Sequence, residues 1–309
     1  MACESCRLQT RTLLRAAIRA SAVRAAPART LNLSRPTSSS HPAPTRWFSN
    51  TPQRRILGMG TLGESYRVLG ASEKLYKICA QPADYHISEE ARNNDQVERL
   101  EDGEELGTPI DAGNVWHKKK GKPKSTQTNF PGGEPTAFGL QPSFSTWSHV
   151  TMLHLYLLQA RVRCFERDTF RNWQQQLVDH FFFDCEKKMH LDHNITSSAL
   201  RQRYLKDIFV QWRGLLLAYD EGLIKGDAIL ASAVWRNLFK GAPEVDPRSL
   251  CAIVGWMRSS LASLEAASDV DFPQKAGDIL ARPVDVFWSR LEEPFKKAFE
   301  GEARKKNGE

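Results

Sequence analysis

Residues 200–238 read LRQRYLKDIFVQWRGLLLAYDEGLIKGDAILASAVWRNL, and this stretch decides the fold class. Leu200, Tyr204, Leu205, Ile208, Trp212, Leu215 and Leu216 recur at three- and four-residue intervals, while Arg201, Lys206, Asp207 and Arg213 fall elsewhere. That period predicts a long helix with one buried face. Gly226-Asp227 follows, a glycine suited to closing one helix joined to an aspartate suited to capping the next. Leu230, Val234 and Leu238 then share the inner face of a second helix. Together the two segments predict a helical hairpin.

Working outward, every long segment from about Phe138 onward has helical rather than strand periodicity. Val150–Val162 is apolar almost all round (Leu153, Leu155, Leu157, Leu158), as expected of a central helix covered on most sides. Asp168 is placed to cap the next helix, whose stripe is Phe170, Trp173, Leu177, Phe181, Cys185 and Met189. Asp246-Pro247 is a favoured cap and first-turn pair, opening a helix with Leu250, Ile253, Val254, Met257 and Leu261. A last amphipathic stretch, Val284 to Phe299, is interrupted by Pro294. The expected fold is an all-α bundle over residues 136–300, with a disordered tail at 301–309 and no solenoid repeat.

Upstream, residues 49–87 predict a short helical segment, with Tyr66, Val68, Leu69, Leu75, Tyr76 and Ile78 as its apolar positions. Residues 88–135 lose apolar content. An acidic block (Glu98, Glu101, Asp102, Glu104, Glu105) precedes a basic one (Lys118, Lys119, Lys120, Lys122, Lys124) and Pro131-Gly132-Gly133. So polar a stretch buries too little surface to offset its ordering entropy, and it reads as a disordered charged linker. The Lys run could touch ribosomal RNA or anionic lipid through phosphates, but a solvated linker accounts for it more simply.

The formal charge of +7 lies entirely in residues 1–48, which hold eight Arg, no Lys and one acid, Glu4. The remainder is formally neutral, so the basic balance says nothing of its partners, and no DNA partner is expected. Arg7, Arg11, Arg15 and Arg19 line one side of a helix with Leu14 and Ile18 on another, followed by an acid-free Ser, Thr and Pro-rich stretch. This is the composition of a mitochondrial transit peptide, and Arg46-Trp47-Phe48-Ser49 resembles a matrix-processing site. No segment reaches the roughly 18 uninterrupted apolar residues of a spanning helix.

Signatures of catalysis are missing from the sequence. No Glu is followed by His three residues later, as a di-metal bundle needs, and the helical domain lacks the paired aspartates of isoprenoid-type enzymes. Cys185, His190 and His193 are the best metal candidates, yet they sit at a helix end where a histidine interacts with the helix dipole without any metal. His149 and His154 are five residues apart and face different ways. No cofactor, no metal and no enzyme activity are expected.

Residues Leu216 to Asp227, continuing through Leu230-Ala231 to Trp235-Arg236-Asn237-Leu238-Phe239, resemble the signature hairpin of the ubiquinol-cytochrome c chaperone family. Trp147–Leu155 and Asn172–Phe182 resemble the two preceding family helices, and Ser72–Tyr76 with Cys79 and Ala83-Asp84-Tyr85 resembles a segment found before the domain in fungal members. The resemblance implies an assembly chaperone for mitochondrial ubiquinol-cytochrome c reductase. It implies a small partner subunit, newly made cytochrome b as client, and a place near the mitochondrial ribosome on the matrix side of the inner membrane, with room for peripheral membrane contact. An all-helical matrix enzyme and a ribosome-tethering scaffold are the alternative function classes.

Within the hairpin, Gly226 and Asp227 are expected to fix the turn. Asp220, Glu221 and Arg236 carry charges not needed to end a helix and are candidate partner contacts. Phe181, Phe182 and Phe183 are consecutive, so one helix face cannot take all three. Either neighbours cover both sides, or Phe182 or Phe183 marks an exposed apolar patch that binds a partner or client.

Overall fold

The computed structural model describes residues 59–111, 115–117, 138–288 and 290. The expected transit peptide at 1–48, the Lys run with the Pro-Gly-Gly turn, Pro294 and the tail at 301–309 lie outside the described residues.

The chain order is α1 (Met59–Ala80), β1 (Tyr85–His86), α2 (Glu89–Asn93), β2 (Thr108–Pro109), α3 (Phe144–Val162), α4 (Arg167–Leu191), α5 (Ser198–Lys225), α6 (Asp227–Leu238), α7 (Pro247–Glu265) and α8 (Phe272–Leu280). The architecture is all-helical as expected, apart from a two-stranded antiparallel ribbon that pairs Tyr85 with Pro109 and His86 with Thr108.

Helix α3 is central. Ser143 caps it by accepting from the Thr146 amide, and fourteen of its nineteen residues are buried, which is why its apolar residues run round the whole circumference. Helices α1, α4, α5, α6 and α7 surround it. Each large side chain sealed here, such as Leu153, Tyr156 or Leu157, contributes about 1.5–3 kcal/mol of burial. Helix α1 is one continuous helix, and its last turn is tied to the centre by the Trp147 indole N–H, which donates to the Ala80 carbonyl at 3.1 Å. Phe272 of α8 meets the rings of Phe165 and Trp173 edge-on at 5.2 and 5.3 Å, closing the bundle's far end.

The helix ends are partly as read. Asp246 caps α7 through the Arg248 amide at 2.8 Å, with Pro247 in the first turn. Asp168 does not cap α4: the helix starts one residue earlier, at Arg167, and Asp168 lies in its first turn opposite Arg171. Leu200 and Tyr204, expected inside, are exposed. The reason is length. Helix α5 has 28 residues and its hairpin mate α6 only 12, or about 42 Å against 18 Å, so α6 cannot cover the first turns of α5.

The larger correction concerns the linker. Residues 88–111 are built into the bundle as α2, β2 and the turn between them. The acidic block is spent on specific partners. Glu105 bridges Arg92 and Arg99 at 3.0 and 3.2 Å, while Glu104 accepts from the Ser145 amide at 2.7 Å and pairs with Lys240 at 2.7 Å. Composition alone counts such residues as solvated, because it cannot see that the cations waiting for them lie elsewhere in the chain.

Candidate functional site

The α5–α6 hairpin is held by a close approach, a turn and a clamp. At Gly222 the helices touch backbone to backbone: a Cβ there would lie 2.5 Å from Leu230 Cα. At Gly226 φ is 114° and ψ 171°, a conformation that side-chain-bearing residues avoid, and its N–H donates to the Gly222 carbonyl at 3.0 Å. Gly226 therefore occupies both the end of α5 and the cap position of α6. Asp227 is not the cap, as the sequence suggested, but the first residue of α6. Its carboxylate accepts from Arg258 Nε at 2.9 Å, while the same guanidinium reaches the Leu223 and Gly222 carbonyls at 3.2 and 3.4 Å. Arg258 thus satisfies the carbonyls that end α5 and fastens the turn to α7. Sequence reading missed it, since an arginine on a neighbouring helix shows no local spacing to the turn.

The three candidate charges divide. Asp220 turns inward, accepting from Tyr156 OH at 2.9 Å and from Arg163 at 2.8 and 2.9 Å. It joins α5 to the central helix and is withdrawn from a free contact surface. Glu221 points outward and pairs with Lys225 at 2.6 Å. That hydrogen bond and the Lys225 charge, with a smaller contribution from Arg236 on α6, hold its carboxyl below the usual range. Glu221 and Arg236 therefore share one exposed polar patch. The consecutive phenylalanines divide too: Phe181 is buried, Phe182 is half-buried against Phe209 of α5, and Phe183 is 71% exposed. Neighbours therefore do not cover all three, and Phe183 is the one left exposed.

Outside these expectations, α5 exposes Val210, Leu217 and Ile224 at 68%, 70% and 86%. Their seven-residue spacing, on the side away from Ile208, Trp212, Leu215 and Tyr219, was readable but was eclipsed by the stronger inner stripe.

A second cluster lies where the ribbon meets α4. Lys188, almost fully buried, donates to Asp84 at 2.7 Å and to the Tyr85 carbonyl at 3.2 Å, lies 3.6 Å from Asp192, and sits over the Tyr85 and Trp147 rings. His86 bonds Asp192 at 2.8 Å, Arg92 donates to the Asp192 carbonyl, and His193 lies between Tyr85 OH (2.6 Å) and Glu105 (3.0 Å). Burial raises the Glu105 pKa, but the hydrogen bonds and charges of Arg92 and His193 outweigh it and bring the carboxyl down to about 2. Every charge is matched, so the cluster is a clamp. His193 is used here, Cys185 is buried in the core and His190 is exposed, so the three do not converge. Among the described residues no group of His, Cys, Asp or Glu is placed to hold a metal, and no helix is long and apolar enough to cross a membrane.

The interior also makes stability depend on pH. Burial pushes His154, sealed between the Trp116 and Trp256 rings, down to about 4. A histidine whose folded pKa is depressed stabilises the fold fully above its unfolded pKa of about 6.5 and loses that contribution as pH falls through this window. About 2 kcal/mol should be lost at pH 5 through His154 alone, and burial pushes His117, His149 and His193 the same way. Urea midpoints at pH 7.5 and 5 check this: the drop should shrink in His154→Leu, and an equal drop would show that His154 does not carry it.

Residues 136–276 match the Ubiquinol-cytochrome C chaperone family. The chain is 40% identical over 133 residues to "Protein CBP3, mitochondrial" of Saccharomyces cerevisiae, covering 43% of this chain and 40% of the yeast protein. It is 28% identical over 148 residues to ubiquinol-cytochrome-c reductase complex assembly factor 1 of Xenopus laevis, covering 47% of this chain and 70% of that protein. With the human protein of that name identity is 23% over 142 residues, 46% of either chain. The chain thus spans less than half the length of the yeast and human relatives. These relatives are named as a chaperone family or assembly factors, not as enzymes. No solved structure matches.

Proposed function

We propose that this chain, whose helical domain matches the ubiquinol-cytochrome C chaperone family, is a mitochondrial assembly chaperone for ubiquinol-cytochrome c reductase. It receives newly made cytochrome b on the matrix side of the inner membrane, near the mitochondrial ribosome, together with a small partner subunit. The family match over 136–276 carries this reading, because it takes in the helices from α3 to the start of α8 and the hairpin with its exposed patch. The arginine-rich first 48 residues, with Glu4 as their single acid, supply the address.

The partner contacts fall to Glu221, Arg236 and Phe183, with Phe182 at the edge and Asp220 positioning α5 from behind. Exposed charges contribute little to folding, whereas a contact desolvated in a complex contributes much to binding. The variant Glu221→Lys, Arg236→Glu, Phe183→Ser should therefore keep its thermal melt and lose its small partner.

Quantitative pull-down of the wild-type and variant chains, from mitochondria with and without the cytochrome b gene, tests both statements. The wild-type chain should retain cytochrome b and the small subunit when the gene is present, and the subunit alone when it is absent. Recovery of ribosomes regardless of cytochrome b, with neither protein enriched, would replace the chaperone reading with that of a tether.

A further inference from the structure

The outward side of α5 is the largest feature that the clamp, the core and the partner patch do not use. Val210, Leu217 and Ile224 follow one another at seven-residue steps, so they drift by only about 20° per step and form a single line along the helix. Between the first two lies Gly214, where an added Cβ would meet nothing within 4 Å. A glycine in the middle of an exposed helix weakens it, and no neighbour in the fold requires this one. What it does provide is a bare spot beside Leu217, where another helix can come close.

The charges around this line identify the occupant. Arg213 lies four residues before Leu217 and Glu221 four residues after it, one on either flank, and both are exposed. A second α5 laid antiparallel about a two-fold axis at Leu217 sets Leu217 against its own copy and Val210 against Ile224. The same operation brings Arg213 level with Glu221 of the other copy, and symmetry repeats that contact. A parallel, in-register copy would instead face Arg213 with Arg213 and Glu221 with Glu221. The surface is thus self-complementary in one orientation, which is the requirement for an isologous dimer. The geometry points to α5 as the interface of a reversible homodimer, its helices antiparallel and centred on Leu217.

Three aliphatic layers and two ion pairs make a small interface, so self-association is weak and concentration-dependent. The inference does not rest on the assembly role. Glu221 also belongs to the partner patch, so the measurement is made on the isolated full chain with no other protein present.

Sedimentation equilibrium of the full chain from about 1 to 200 µM should follow a monomer–dimer curve. Leu217→Asp should be monomeric throughout. Arg213→Glu and Glu221→Arg should each weaken association by about tenfold or more, since each leaves like charges facing across the axis. The double variant Arg213→Glu, Glu221→Arg restores opposite charges and should return association to near the wild-type level. All these positions are exposed, so melts matching the wild type establish that each variant is folded. A wild-type chain monomeric over the whole range, a Leu217→Asp chain that dimerises normally, or a double variant no better than the single ones would each overturn the inference. Capture of a different mitochondrial protein by a monomeric wild-type chain, lost in Leu217→Asp, would assign the face to that protein and overturn it as well.

Discussion

Gly222→Ala should destabilise the domain by about 3 kcal/mol or more, although it adds one methyl group and improves helix propensity. The new Cβ would stand 2.5 Å from Leu230 Cα and 2.8 Å from its N and Cβ. Two of those three atoms are backbone and cannot rotate aside, so α5 and α6 would have to part. Parting them loosens Tyr219 and Leu230, both fully buried, and pulls the α5 carbonyls from Arg258. Two other glycines calibrate the result. Gly226→Ala meets no atom but must hold φ at 114° and ψ at 171°, a cost of about 1–3 kcal/mol. Gly70→Ala, exposed in the middle of α1 with open space around it, should gain about 0.5–1 kcal/mol. Urea unfolding of the full chain should rank stability as Gly70→Ala, wild type, Gly226→Ala, Gly222→Ala, from highest to lowest. Equal losses at 222 and 226 would mean that the turn, rather than the close approach, sets the hairpin.

That ranking also shows where sequence reading stopped. Periodicity was enough for the hairpin, the apolar central helix and the inner stripes, since these follow from each residue's neighbours on its own helix. It identified Gly226 from its place at a helix end, but passed over Gly222, whose reason for being glycine lies on α6. Asp220 failed in the same way. Its spacing is that of a surface charge, and only the fold brings Tyr156 and Arg163 to it. The acidic block erred most, because charge density argued for solvent while Arg92, Lys240 and His193 sat ready to receive it. Exposure was legible at Glu221 and Phe183, and illegible at Asp220, whose partners are distant in sequence.

The clamp at Lys188 carries the other large effect. Lys188→Met keeps the length of the side chain and its packing over Tyr85 and Trp147, but removes the charge that Asp84 and Asp192 face. Taking one member from a buried charge cluster leaves the others unpaired in a poorly solvated place, a loss of about 3–5 kcal/mol. The loss should be local before it is global. Tyr85, Ala83 and Ile87 still anchor the ribbon through burial, but the charges that align residues 84–111 on α4 would repel one another. Hydrogen exchange should therefore rise first across 84–111, at denaturant concentrations where α3 stays protected. Adding Asp84→Asn and Asp192→Asn to Lys188→Met removes the stranded charges and should recover much of the stability, because the burial cost disappears with them. If Lys188→Met leaves exchange in 84–111 unchanged, the ribbon is held by its apolar residues and the charges merely accompany it. If the triple variant is no more stable than Lys188→Met, the loss comes from the hydrogen bond to the Tyr85 carbonyl and the ammonium's contacts with the Tyr85 and Trp147 rings, which neither Asn replacement restores.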